Sequence, residues 1–258
     1  MAGDGNSCGK VRRLERLRTP EGAYLWLAMD HGLTHGQIDG LTDLSPSLAL
    51  AASTSVTGVV VNRGVATMLP PSIRAGLVLQ TFGLPSLGSR PEAKVVTCRV
   101  DDALRLAADA IAVQMDLNAS GLPHVVHALS LMVSDAARYE IPVLLMVTPS
   151  RCGDPYEAGA DALRISTELG ADLIKVGLPP ETAKADPDQL AVLRRAVVHA
   201  PPTLLAGGER RGDLIARLAL ARDLGFSGAC IGRSVFQDPE PGAVLKEIAA
   251  VFEDATVN

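Results

Sequence analysis

The chain has 258 residues, 47% of them hydrophobic, with 24 basic against 29 acidic side chains and a net charge of −5. That length suits one α/β barrel of the usual ~250 residues, the apolar fraction supplies a full core, and the acidic balance leaves no basic footprint for nucleic acid. Four widely spaced cysteines (Cys8, Cys98, Cys152, Cys230) without a CxxC pair argue against a disulfide framework or zinc knuckle and fit a reducing, cytoplasmic compartment; with no apolar leader and no 18-residue apolar run, neither a signal peptide nor a membrane partner is expected.

Residues 1–8 are polar and expected to be flexible, and Gly9–Arg18 reads as a short helix capping the bottom of the fold. Apolar, β-branched runs then recur at Tyr24–Met29, Gly58–Asn62, Gly76–Thr81, Ala110–Asp116, Pro142–Val147, Asp172–Gly177, Pro202–Ala206 and Gly228–Gly232. Between them Pro46–Ser53, Leu122–Tyr139, Glu157–Leu169, Gln189–His199, Gly212–Leu224 and Ala243–Glu253 carry apolar residues at helical spacing. The connections after the second and third runs are weaker in helical pattern, being Pro- and Gly-rich. Strand and helix alternate without a break in composition, so the chain is expected to be one domain, 1–258, with a parallel sheet; eight strands favour closure into a single (β/α)8 TIM barrel.

Lys175 stands out within this pattern. It is one of five lysines in the chain and lies inside an apolar strand run, where an ammonium is costly unless it is paired or gives up its proton. Desolvation is expected to push its pKa down and make the amine a nucleophile towards a carbonyl. Asp172, Ile174 and Val176 share one side of the strand; Leu173, Lys175 and Gly177 share the other. Alternation alone leaves open which set faces inward, although the small Gly177 leaves room above the amine. Structural ion pairs also hold lysines in such places, so the residue needs support from elsewhere.

Chemistry in a barrel collects at the carboxyl ends of the strands. Asp30-His31-Gly32 ends the first strand, Asn62-Arg63 the second and Thr148-Pro149 the fifth, and Gln114 lies on the fourth. The seventh and eighth strands run into Ala206-Gly207-Gly208-Glu209-Arg210 and Gly232-Arg233-Ser234. Glycine turns at those two positions suit phosphate, with the backbone able to approach closely and Arg233 adding a charge-assisted contact.

Taken together, Gly9-Lys10-Val11-Arg12-Arg13-Leu14, Met29-Asp30-His31-Gly32, Ile38-Asp39-Gly40-Leu41, Gly170-Ala171-Asp172-Leu173-Ile174-Lys175, Ala206-Gly207-Gly208 and Gly232-Arg233-Ser234-Val235-Phe236-Gln237 resemble the archaeal-type class I fructose-bisphosphate aldolases and the related 2-amino-3,7-dideoxy-D-threo-hept-6-ulosonate synthases. The likeness runs in order along nearly the whole chain. It implies a barrel in which Lys175 forms an imine with a ketose phosphate, Asp30 moves protons beside it, and Gly207, Gly208, Gly232 and Arg233 hold the phosphate. It further implies phosphorylated ketose and aldehyde substrates, no cofactor and no metal, and a homo-oligomer.

Three positions depart from that family pattern. Thr148 stands where the family usually has a tyrosine, and a threonine hydroxyl is a poor proton carrier near neutral pH. Asn62-Arg63 and Gln114 stand where histidines are common. These changes around one pocket, which also includes His31, point away from central sugar metabolism and towards a biosynthetic aldolase or transaldolase-like lyase. Four other readings remain open: an ordinary fructose-bisphosphate aldolase, acyl transfer or rearrangement of a phosphorylated diketone through the same lysine, a silent phosphate-binding barrel, and metal-assisted chemistry through His31, His35, Asp30 and Asp39. Tyr156, in the loop after the fifth strand, is a candidate to replace the missing phenol, with a surface or capping role as its alternative.

Overall fold

The structure, a computed structural model, describes residues 8–85, 94–179, 182, 185–208 and 213–253. Its strands are β1 (Tyr24–Ala28), β2 (Gly58–Asn62), β3 (Gly76–Gln80), the two-residue pair β4 (Phe82–Gly83) and β5 (Val95–Val96), β6 (Ala110–Asp116), β7 (Val143–Thr148), β8 (Leu173–Val176), β9 (Thr203–Ala206) and β10 (Gly228–Ile231). The helices are α1 (Cys8–Arg16), α2 (Gly32–His35), α3 (Ser45–Ser53), α4 (Arg63–Ala66), α5 (Val100–Arg105), α6 (Leu122–Arg138), α7 (Pro155–Glu168), α8 (Pro187–Val198), α9 (Leu214–Asp223), α10 (Arg233–Phe236) and α11 (Pro241–Glu253).

Eight parallel strands close into a barrel in the order β1-β10-β9-β8-β7-β6-β3-β2. Both faces of each strand are covered, which is why the strand sequences read as continuous apolar runs rather than alternating ones. Alternate residues sort into two cores. Trp26, Val60, Val78, Ala112, Leu144, Met146, Leu173, Leu204 and Cys230 fill the barrel interior, while Leu27, Val59, Leu79, Ile111, Leu145, Ile174 and Leu205 pack outward under the helices. The register sets Lys175 beside Met146 on one side and Leu204 on the other. Leu173, two residues earlier on the same face, belongs to the interior cluster, so Lys175 points inward.

The expected bottom helix is α1. It lies across the amino ends of the strands, where the Lys10 amine pairs with Asp172 at 2.9 Å, Arg16 with Asp109 at 2.6 Å, and Arg13 donates to the Ala108 carbonyl at 2.8 Å. Leu17, fully buried just beyond it, plugs the interior and accepts the Trp26 indole N–H at 2.7 Å. Residues 1–7 of the segment expected to be flexible, and Glu209 and Arg210 of the loop after β9, lie outside the described residues.

Two helices begin earlier than their apolar spacing suggests because polar residues start them. The Asp154 side chain accepts from Tyr156 N at 2.8 Å and Glu157 N at 3.1 Å, with Pro155 opening α7. Asp186 and Gln189 cap α8 reciprocally, with Pro187 behind them. The connection after β3 is less bare than its sequence suggests. It holds the β4–β5 arm, antiparallel with Phe82 opposite Val96, and then α5.

Candidate active site

At the carboxyl end of the barrel is a cavity of about 270 Å³ lined by His31, Gln114, Met146, Val147, Thr148, Lys175, Ala206, Gly207, Gly208, Cys230, Gly232 and Arg233. Its walls come from β1, β6, β7, β8, β9 and β10, and Lys175 rises from the floor. Lys175 is partly buried and lines the cavity. Cys230, buried on β10, is its electrostatic neighbour.

The electrostatics of the amine differ from the sequence expectation. Burial alone favours the neutral form, but the Cys230 sulfur and the Asp30 carboxylate favour the ammonium and prevail over burial and Arg233, so the Lys175 pKa is raised rather than depressed. Burial in turn pushes the Cys230 thiol up, against the counter-pull of Lys175. These neighbours therefore favour the ammonium form of the amine. A neutral nucleophile has to be drawn out by loss of that proton, with Cys230 and Asp30 the groups that set how easily it leaves.

Asp30, two residues beyond β1, is fixed by two neighbours. Gln80 Nε2 donates to its Oδ2 at 3.0 Å and Asn62 Nδ2 donates to its backbone carbonyl at 2.8 Å, while the neutral His31 ring lies with Nδ1 3.7 Å from its Oδ1, beyond hydrogen-bonding reach. Gln80 is almost fully buried and its own Oε1 accepts from Phe82 N at 3.2 Å, so the amide cannot turn away. The Asp30 carboxylate is close enough to act electrostatically on Lys175 without forming a direct ion pair. His31 packs edge-on against Phe236 at 5.6 Å. Burial lowers its pKa to about 4, against an opposing pull from Asp30, so the ring is neutral around pH 7.

On the opposite wall, Gly207 and Gly208 follow β9, and Gly232 and Arg233 follow β10. Gly208 has φ +72°, a left-handed conformation that a side chain would strain. A Cβ on Gly232 would come within 2.5 Å of both the Ala28 carbonyl and the His31 ring, so glycine is what lets β10 meet β1 here. Arg217 Nη1 donates to the Gly207 carbonyl at 3.1 Å, and Ser234 Oγ donates to the Gly208 carbonyl at 3.2 Å. These bonds hold the loop open towards the cavity.

Of the residues expected at the site, the cavity gathers Lys175, Thr148, His31, Gln114, Gly207, Gly208, Gly232 and Arg233, with Asp30 beside them. Three expectations need correction. Arg63 starts α4 and swings outward, 3.8 Å from Asp102 and more than half exposed, so it does not line the pocket. Asn62 is spent on the Asp30 carbonyl and acts as a support. Tyr156 is neither a surface residue nor a second acid: it lies in the first turn of α7, its N–H bonded to the Asp154 cap and its ring buried in the outer core. Among the described residues no group of three or more His, Cys, Asp or Glu is placed to hold a metal, although the His31 and His35 rings stack at 6.5 Å.

Sequence reasoning missed Gln80, Cys230, Arg217 and Ser234. Gln80 and Cys230 have the inward alternation of their strands, which was the available signal once the barrel was closed. Nothing in the sequence links Arg217, on α9, to the Gly207 turn.

Comparison with known proteins fits this geometry. The DeoC/LacD family aldolase profile matches residues 24–238. A 2-amino-3,7-dideoxy-D-threo-hept-6-ulosonate synthase from Halobacterium salinarum is 32% identical over 95% of this chain and 92% of its own. A 2-amino-4,5-dihydroxy-6-oxo-7-(phosphonooxy)heptanoate synthase from Streptomyces griseus is 27% identical over 94% and 90%. An archaeal fructose 1,6-bisphosphate aldolase shares the fold, with a TM-score of 0.82, 24% identity and coverage of 95% of this chain and 100% of that one. The chain belongs to the DeoC/LacD family of aldolases. It is an enzyme of the class I type, which works through a Schiff-base lysine.

Proposed function

We propose that this aldolase joins a phosphorylated ketose donor to an aldehyde acceptor through an imine on Lys175, in a biosynthetic pathway. The observation that carries the reading is the inward Lys175 amine sharing one cavity with the Gly207-Gly208 and Gly232-Arg233 loops. A phosphate held by those loops fixes the donor carbonyl against the amine, which replaces much of the entropic cost of bringing the two together.

The neutral amine adds to the ketone to give a carbinolamine. Loss of water leaves a protonated imine, an electron sink that allows the adjacent carbon to lose a proton or a C–C bond and become an enamine. The enamine adds to the aldehyde, and water releases the product and restores the amine. Asp30 carries protons in the imine steps, and its tether to Gln80 keeps it aimed. Thr148 lines the place where the new hydroxyl forms and orients a water there. His31 and Gln114 supply neutral hydrogen-bonding groups for the hydroxyls of the substrate.

The preference for biosynthesis draws on the relative at 32% identity being named a synthase, compared with 28% for a Halobacterium salinarum fructose-bisphosphate aldolase. The enzyme is taken to work as a homo-oligomer in a reducing compartment, in keeping with its four unpaired cysteines; light scattering of the purified protein measures the subunit count.

Borohydride reduction in the presence of dihydroxyacetone phosphate, a 6-deoxy-5-ketohexose phosphate or fructose 1,6-bisphosphate tests the reading by intact mass and peptide mapping. The expected result is one adduct, on Lys175, with at least one of the three, and none in Lys175→Met. An adduct on another lysine, or chelator-sensitive turnover without trapping, overturns it.

A further inference from the structure

The mouth of the barrel holds a second lysine that the imine chemistry does not use. Lys94 immediately precedes β5, which pairs with β4 as an arm continuing β3 beyond its carboxyl end; Thr97 N bonds the Thr81 carbonyl at 2.8 Å at the base of this arm. The Lys94 amine is half-buried and donates to Thr34 Oγ1 at 3.0 Å, on the short helix that follows Asp30-His31. It lies in the field of both Asp30 and Asp116, the carboxylates at the ends of β1 and β6.

Neither carboxylate is a direct partner of the ammonium. Asp30 takes the Gln80 amide, and Asp116 takes the backbone and side-chain N–H groups of Asn118 at 2.8 and 2.7 Å. Among the described residues no carboxylate lies within ion-pair distance of Lys94, and its one hydrogen-bond partner is a neutral hydroxyl. An ammonium has three protons to place. Withdrawing it partly from water without an anion is unfavourable, and burial accordingly lowers its pKa, against Asp30 and Asp116.

Position gives this cation its meaning. In the closed order of strands β3 stands four places from β9, on the opposite side of the barrel. On the reading proposed above, the Gly207-Gly208 loop would hold one end of an extended ligand and Lys175 on neighbouring β8 its carbonyl; Lys94, outside the lining of that cavity and on the β3 side of it, stands towards the other end.

We propose that Lys94 is a specificity-determining residue that binds an acidic group, carboxylate or phosphate, at the far end of the aldehyde acceptor. This rests on the Schiff-base reading of Lys175. A neutral aldehyde leaves the ammonium unpaired, and an acidic one completes it, so the enzyme selects acceptors by their tail charge.

The test compares wild type, Lys94→Gln and Lys94→Arg with dihydroxyacetone phosphate as donor and three acceptors: succinic semialdehyde, glyceraldehyde 3-phosphate and propionaldehyde. In Lys94→Gln the ratio of kcat/KM for the preferred acidic acceptor to that for propionaldehyde is expected to fall about ten- to a hundredfold through KM, as befits one charge-assisted hydrogen bond. Lys94→Arg restores most of it, and whichever acidic acceptor is preferred identifies the anion. Borohydride trapping of the donor on Lys175 should be undiminished in both variants; its failure in wild type would sink the Schiff-base reading instead. Calorimetry with unreactive succinate and glycerol 3-phosphate reads the same site without turnover. An unchanged selectivity ratio, or no anion binding that depends on Lys94, overturns the inference.

Discussion

Lys175 on β8 and Cys230 on β10 are electrostatic neighbours inside the barrel across β9, whose Leu204 pairs with Lys175 and whose Ala206 pairs with Cys230. Each depends on the other for its proton: the sulfur favours the ammonium and the ammonium favours the thiolate, while burial opposes both charges.

Because the Lys175 pKa is raised, the fraction of neutral amine grows with pH, and imine formation should climb through the alkaline range. Removing the sulfur in Cys230→Ala takes away the strongest pull on the ammonium. The rise in borohydride trapping rate should then move to lower pH. An unshifted profile in a folded Cys230→Ala protein would show that the thiol only fills space.

Gln80 is a positioning residue that acts through Asp30. Gln80→Leu keeps the volume but deletes the donor to Asp30 Oδ2 and the acceptor for Phe82 N. Losing a bond to a charged group corresponds to about 1.5–3 kcal/mol, so kcat should drop at least about tenfold while KM for the donor changes little. The pH profile should flatten as well, because an untethered carboxylate no longer holds its place beside the amine. A purely structural role would lower thermal stability and leave that profile intact.

His31 gives the fold an acid sensitivity. Its pKa is about 4 when folded and about 6.5 when unfolded. Between those values the unfolded chain binds more protons, so stability is lost as pH falls from 6.5 towards 4 and is regained as it rises. The effect amounts to roughly 3 kcal/mol at most. Urea titrations of wild type and His31→Asn at pH 7 and pH 4.5 should differ in slope with pH. Parallel behaviour would mean that the ring charges without penalty.

Asp172 belongs to the opposite face. It accepts from Lys10 Nζ and from Val143 N, both at 2.9 Å, and ties α1 to the barrel floor. Asp172→Ala should cost about 1–3 kcal/mol of stability without altering KM or the trapping rate of the folded protein. A change in turnover at permissive temperature would contradict this division between a stabilising bottom and a reactive top.

The sequence by itself determined the barrel, its eight strands and the bottom helix, since runs buried on both faces and amphipathic helices are written in local periodicity. It also marked Lys175, Asp30 and the glycine turns as the places for chemistry, because a lysine in an apolar strand and glycines at strand ends are locally anomalous. Closure of the barrel decided the rest. Only the alternation fixed by β7 and β9 turned Lys175 inward, and only the approach of β10 gave it Cys230 as partner and raised a pKa that desolvation alone would lower. Closure likewise brought Gln80 from β3 to Asp30 and set Lys94 across from the β9 loop, while Arg63 turned out to Asp102. These pairings join residues far apart in the chain, 50 positions for Asp30 and Gln80, and what joins them is the curvature of a closed sheet, which no local pattern of side chains records.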